Sequence, residues 1–234
     1  MNSVNQIFDE MLEDLNNLSI KSCTIFKVNV GLRESNPDAY TPKMISIGPY
    51  HKKNPQLRPM EKYKQLYLQR FLQRKEGLGV ESCINELEIL KKETIKCYDD
   101  IEDQCDDSWG TSQFLQMLLL DGCFVVEFIR ECTKKYPEEE DNIINFVDCI
   151  YNQILRDLML LENQLPFFVL NQLHDMTKQD DELPLAILTN NLFTFFLDYP
   201  KMTPESFRKT KCMKKISNIY FMQYTYFHVM AKIS

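Results

Sequence analysis

TSQFLQMLLLDGCFVVEFIRECT, residues 111–133, is the stretch from which the fold is read. Apolar residues run from Phe114 and Leu115 through Met117 to Leu120, then from Cys123 to Val126, and end at Phe128 and Ile129. They cover nearly every side of a helix, and a helix that is apolar all round is a buried one. The stretch therefore reads as the central helix of a core. Gln116, Asp121 and Glu127 interrupt it, which argues against a membrane span of about 20 mostly apolar residues. The aromatic stretch 216–230 carries Asn218, Gln223 and His228 and is rejected on similar grounds.

Helical patterns surround this segment. Val4, Ile7, Phe8, Met11, Leu12 and Leu15 recur at spacings of three and four, predicting an amphipathic helix over 3–18. Further helices are expected at 60–75, 80–104 and 142–161, then after Pro166, after Pro184 and from Thr203-Pro204. Residues 22–58 differ. Thr24 to Val30 alternates as a strand would, Met44 to Ile47 suits a second short strand, and Pro37, Pro42, Pro49, Pro55 and Pro59 forbid long helices. The expected class is mainly α, an irregular helical domain with a short extended or β segment near 24–50. The expected organisation is an N-terminal helix over 1–24 and a single helical domain over 25–234.

Composition bounds the function. A net charge of -7 over 234 residues disfavours nucleic acid as a partner, despite the bunching of Lys209, Lys211, Lys214 and Lys215. The first twenty residues show neither a basic n-region nor an unbroken apolar h-region, so a cytoplasmic chain is expected. Eight cysteines would then be reduced, acting mostly as small hydrophobes, and no C-x-x-C pair suggests zinc or redox work. No catalytic, metal or cofactor motif is present: G-x-S-x-G, the P-loop, G-x-G-x-x-G and H-E-x-x-H are all missing.

Three blocks are more specific than their composition. They are YTPKMISIGPYH (40–51) with LRPMEK (57–62), MLLLDGCFVVE (117–127), and DLMLLENQLPFFVL (157–170). In this order and spacing they closely resemble the plant family known as domain of unknown function 247, from about Ile25 to about Phe196. The resemblance implies a plant-specific protein without established catalytic residues. Some grass members are linked to pollen–stigma recognition. Members are usually longer and end in a predicted membrane anchor, so a C-terminally shortened member is expected, with membrane attachment only in a full-length form. The tail from Thr203 matches the family pattern poorly.

The same blocks have a physical reading. Gly48-Pro49 is turn chemistry, followed by Tyr50 and His51. His51 reads as a hydrogen-bonded or surface histidine, with general-base work as the alternative. Asp121, within an apolar run, needs a backbone amide or an arginine as partner, or else is a buried acid with chemical work to do. Gly122 beside it suggests close approach of another element, and Glu127 closes the block. Glu162-Asn163-Gln164 before Pro166 reads as a buried polar corner that bonds exposed backbone groups at two helix ends, with a ligand site as the minority reading. The leading expectation is a non-catalytic recognition or signalling module acting through protein partners. The rivals are an enzyme using Asp121 or Glu162 and a remnant without function of its own.

Overall fold

The computed structural model describes residues 25–99, 101, 110–133 and 148–197. The helices expected over 3–18 and from Thr203 lie outside them, as do residues 142–147. Eight α-helices are described: α1 (Val30–Ser35), α2 (Pro37–Tyr40), α3 (Glu61–Gln73), α4 (Val80–Lys96), α5 (Thr111–Thr133), α6 (Asp148–Leu158), α7 (Phe167–Thr177) and α8 (Leu185–Leu197). A 3-10 helix, Pro55–Met60, leads into α3, and the Asn54 side chain caps it through the Gln56 N–H at 3.0 Å.

The α5 helix is the axis of the fold. Sixteen of its residues are buried, and α3, α4, α7 and α8 all lie against it. The α6 helix adds Ile154, Leu155 and Leu158 to the same core, and Tyr151 stacks on Phe128 at 5.5 Å. By length and composition α5 is apolar enough to cross a membrane, but the fold buries 78% of its most apolar window. Core helices of that kind reach such hydropathy because water has been replaced on every side. Gly122 permits the approach of α7: a Cβ there would lie 2.4 Å from Leu173 Cδ1.

The fold is mainly α, and the two short strands do not form. Among the described residues the only β feature is a single parallel bridge between Ile25 and Tyr98, with Ile25 N donating to Cys97 O at 2.8 Å. The 43–48 segment has apolar side chains at Met44, Ile45 and Ile47, yet its backbone finds side chains rather than another strand. Two helix ends also differ from expectation. The α4 helix stops at Lys96, not near 104, because Tyr98 turns inward to meet Ile25. The α6 helix stops at Leu158, not at 161, and 159–166 forms the corner.

Candidate functional site

The backbone N–H groups of residues 43–48 are held by side chains from more than seventy residues away. The Asp157 carboxylate, at the end of α6, accepts from the N–H groups of Lys43 (2.9 Å), Met44 (2.6 Å) and Ile45 (3.1 Å). Asn163 Oδ1 accepts from Ile47 N at 2.6 Å, and Asn163 Nδ2 donates to Ile45 O at 2.9 Å and to Asp157 O at 3.0 Å. Asp121 Oδ2 accepts from Gly48 N at 2.9 Å. A buried backbone must find partners somewhere, and here two carboxylates and one carboxamide supply what a neighbouring strand would have supplied. That is why the stretch expected as a second short strand forms none.

The Asp121 partner that sequence reasoning missed is a lysine, not an arginine. Lys64 Nζ donates to Asp121 Oδ1 at 2.6 Å, to Ser46 O at 2.6 Å and to Glu61 Oε1 at 2.7 Å, and its side chain is wholly buried. Glu61 also meets Lys52 at 2.5 Å, so the cluster reaches the surface through Glu61 and Lys52. Burial pushes the Asp121 carboxyl above its ordinary range, and Lys64 and Lys52 pull it back. A legible signal existed. Met60, Lys64, Tyr67 and Phe71 share one buried stripe of the 3-10 helix and α3, so a lysine stands where an apolar residue belongs.

The corner itself is buried: Glu162, Asn163 and Gln164 are all withdrawn from the surface. Gln164 Nε2 donates to Leu158 O at 3.1 Å, answering an orphan carbonyl at the end of α6. Gln164 O accepts from Tyr98 OH at 2.9 Å. Gly48 fits above it with φ at 75°, and a Cβ there would stand 2.5 Å from Gln164 O. Pro166 is buried, and its carbonyl accepts from Val169 N at 3.0 Å in the first turn of α7.

Glu162 points away from the helix ends that the sequence assigned to it. It accepts from Val28 N and from the Arg33 guanidinium, with His51 Nε2 at 3.3 Å from its other oxygen. Burial works to raise the Glu162 carboxyl, but His51, Arg33 and the Val28 amide together hold it below the usual range. The acid thus clamps residues 26–35 onto the body. Tyr50 secures the same segment. Its hydroxyl lies 3.0 Å from Ile25 O and accepts from Asp99 N at 2.8 Å, while its ring meets Tyr98 edge-on at 5.7 Å. Pro49 is part of this turn, its carbonyl accepting from Lys52 N at 3.4 Å.

Glu127 belongs to a second cluster, farther along α5. It pairs with Arg74 through both oxygens (2.6 and 2.7 Å) and with Arg130 at 2.7 Å. Arg130 continues to Glu182 at 2.6 Å and to Thr177 Oγ1 at 2.9 Å. Against the effect of burial, His174 and Arg130 lower the Glu182 carboxyl to about 2. Nearby, Glu131 accepts from Tyr67 OH (3.0 Å), Arg70 (2.8 Å) and Tyr151 OH (2.5 Å). None of the partners in this cluster was read from the sequence.

The structure thus brings Gly48, Asp121, Asn163 and Gln164 together, sets His51 and Glu162 beside them, and leaves Glu127 apart. Among the described residues no group of three or more His, Cys, Asp or Glu is arranged to hold a metal ion. Two surface clefts are described. One, of about 510 Å³, lies between the α3–α4 turn and α7; the other, of about 770 Å³, lies over α5 between α3 and α4. Neither is lined by Asp121, His51 or Glu162.

Residues 25–231 match the family model described as DUF247, plant protein of unknown function. The match runs past Phe196, where the resemblance read from the sequence ended, and takes in most of the tail. The chain is 30% identical over 191 residues to a putative UPF0481 protein of Arabidopsis thaliana, At3g02645, covering 80% of this chain and 34% of that protein. It is 35% identical over 155 residues to the UPF0481 protein At3g47200 of the same plant, covering 66% of this chain and 31% of that one. The match spans about a third of the length of these curated relatives. No solved structure matches the chain.

Proposed function

The chain belongs to the DUF247 family of plant proteins of unknown function, and we propose that it is a non-catalytic recognition module that acts through protein partners. The observation that carries this reading is the fate of the buried acids. Asp121, Glu127, Glu131, Asp157 and Glu162 each accept from an interior amide, hydroxyl or cation at hydrogen-bonding distance. An acid used this way holds the fold, whereas a catalytic acid faces a space where a substrate can sit.

The polar corner has a recognition role in this reading, because of what it carries. Glu162 clamps the 26–35 segment, on which Phe26, Val30 and Leu32 are 54%, 67% and 57% exposed. Exposed apolar side chains grouped on a fixed segment are the usual raw material of an interface. The partner in this reading is a protein with an apolar surface, met on the cytoplasmic side of any membrane.

The test compares two forms of the chain in plant tissue. Tagged wild type and a Phe26→Ser, Val30→Ser, Leu32→Ser variant are captured after brief crosslinking. Proteins recovered with the wild type and lost from the variant support recognition through this segment. Identical recoveries reject the segment. If nothing specific comes with either form across tissues, the module reading fails.

A further inference from the structure

The chain is acidic, with 27 lysines and arginines against 34 acids, yet residues 25–60 hold six cations and only two acids, Glu34 and Asp38. The fold gathers part of this excess around the Glu162 clamp. Lys27 Nζ lies over the Tyr50 ring, 5.5 Å from its centroid, and Arg33 meets Glu162 beside His51. Lys52 and Lys53 follow His51 in one turn, closed by Asn54 N donating to His51 O at 3.0 Å. Glu162 and Glu61 already neutralise Arg33 and Lys52. Lys27 and Lys53 are exposed, and among the described residues neither meets a carboxylate.

We propose that this surface recognises an acidic peptide segment of a partner protein, one whose aliphatic or aromatic side chains are flanked by Asp or Glu. The inference rests on the recognition reading above and gives the partner its chemistry. Phe26, Val30 and Leu32 are each more than half exposed, and Lys27 stands among them in the chain. Apolar contact alone selects poorly between partners. Cations beside it reward a partner that brings acids and penalise one that brings bases. The surface is also held in place before any partner arrives: Glu162 fixes Val28 and Arg33, and the Tyr50 hydroxyl lies 3.0 Å from Ile25 O. Little ordering is then left for binding to oppose.

Charge also decides the kind of anion. The whole chain has a net charge of -7, so an extended polyanion or an anionic bilayer, which faces much of the molecule at once, is repelled by the rest of it. A short peptide senses mainly the charges within a screening length of about 8 Å, and there the cations prevail. Glu34 and Asp38 lie exposed on the same segment. A continuous sheet of anionic headgroups would meet them as well as Lys27, whereas a peptide can set its acids at Lys27 and Lys53 and leave these two to water.

The test selects random peptides displayed on phage against the full chain. Enriched peptides should carry Asp or Glu beside aliphatic or aromatic residues, and synthetic copies should bind more weakly as salt rises. Lys53→Glu alone should weaken them several-fold, and Lys27→Glu with Lys53→Glu about tenfold, since each reversal turns an attraction into a repulsion. Copies whose acids are changed to lysine should prefer the double variant to the wild type, a swap that damage to the fold would not produce. Enrichment of neutral or basic peptides, enrichment of none, or equal binding by wild type and double variant would overturn the inference. So would pelleting of the wild type with phosphatidylcholine–phosphatidylserine vesicles when no acidic peptide binds. The two readings fail separately: peptide binding lost in the Phe26→Ser, Val30→Ser, Leu32→Ser variant but kept in the double charge reversal leaves recognition through the segment standing and removes its acidic partner.

Discussion

Lys64 and Asp121 stand 57 residues apart in sequence and 2.6 Å apart in space, both wholly buried. The pair joins α3 to α5 and, through Ser46 O and Gly48 N, fastens the 43–48 segment between them. Removing one member of a buried pair leaves an uncompensated charge in the interior. We expect Lys64→Met to lower stability by about 3–5 kcal/mol. Asp121→Asn should cost less, since its amide oxygen still accepts from Gly48 N. Urea midpoints of the two variants and of the double variant give the coupling. Additive losses would show that the residues act separately.

Asp157 replaces a strand. Its carboxylate accepts three successive backbone N–H groups, so Asp157→Ala strands all three. Each buried unsatisfied group costs about 1–3 kcal/mol, and the sum should exceed the loss from Asp157→Asn, which keeps one acceptor oxygen. Hydrogen exchange at Met44 and Ile45 should speed up in the alanine variant well before global unfolding. Unchanged exchange there would mean that water takes over the role.

Gly48 and Gly77 have the same left-handed backbone, with φ at 75° and 78°. Their surroundings differ: a Cβ at 48 meets Gln164 O at 2.5 Å, and one at 77 meets nothing within 4 Å. Gly77→Ala should therefore cost only the conformational term, about 1–2 kcal/mol. Gly48→Ala adds a clash with backbone and should lose clearly more. Thermal unfolding of the pair separates the two contributions, and equal losses would place the whole effect in φ.

The Glu182 carboxyl titrates at about 2, below its ordinary 4.5, because His174 and Arg130 favour its charged form against the effect of burial. A depressed carboxyl contributes stability that is full above the unfolded value and lost as pH falls through the folded one. Stability should fall between pH 4.5 and 2. In Glu182→Gln the slope over that interval should be shallower and the stability at pH 7 lower. Denaturant titrations at a series of pH values measure both.

The helical body was legible because burial leaves a period. The apolar run at 111–133 gave α5 with its observed limits, and Pro166 and Pro184 marked the starts of α7 and α8. The ends of α4 and α6 were not legible, since Tyr98 and the corner end them through contacts with distant residues. The strand expectation failed for a related reason. A short apolar run reports which side chains are buried, not what the backbone bonds to, and at 43–48 the backbone partners include Asp157, Asn163 and Asp121. The polar residues of the corner were visible as polar residues in apolar surroundings. Their partners were not, because Lys64, Val28 and Arg33 lie 57 to 134 residues away along the chain.

The side-chain anchoring of residues 43–48 also orders events during synthesis. Chains leave the ribosome amino end first, at about 5–20 residues per second. Asp157 lies 114 residues after Lys43, and Asn163 lies 116 after Ile47. The segment is therefore made about 6–23 seconds before these two acceptors exist at that rate, with four amides awaiting them. A chain stopped before residue 157 would hold Ser46 O and Gly48 N through Lys64 and Asp121 while the amides of Lys43, Met44, Ile45 and Ile47 stay unfastened, and completion of the corner would be the step that closes the body.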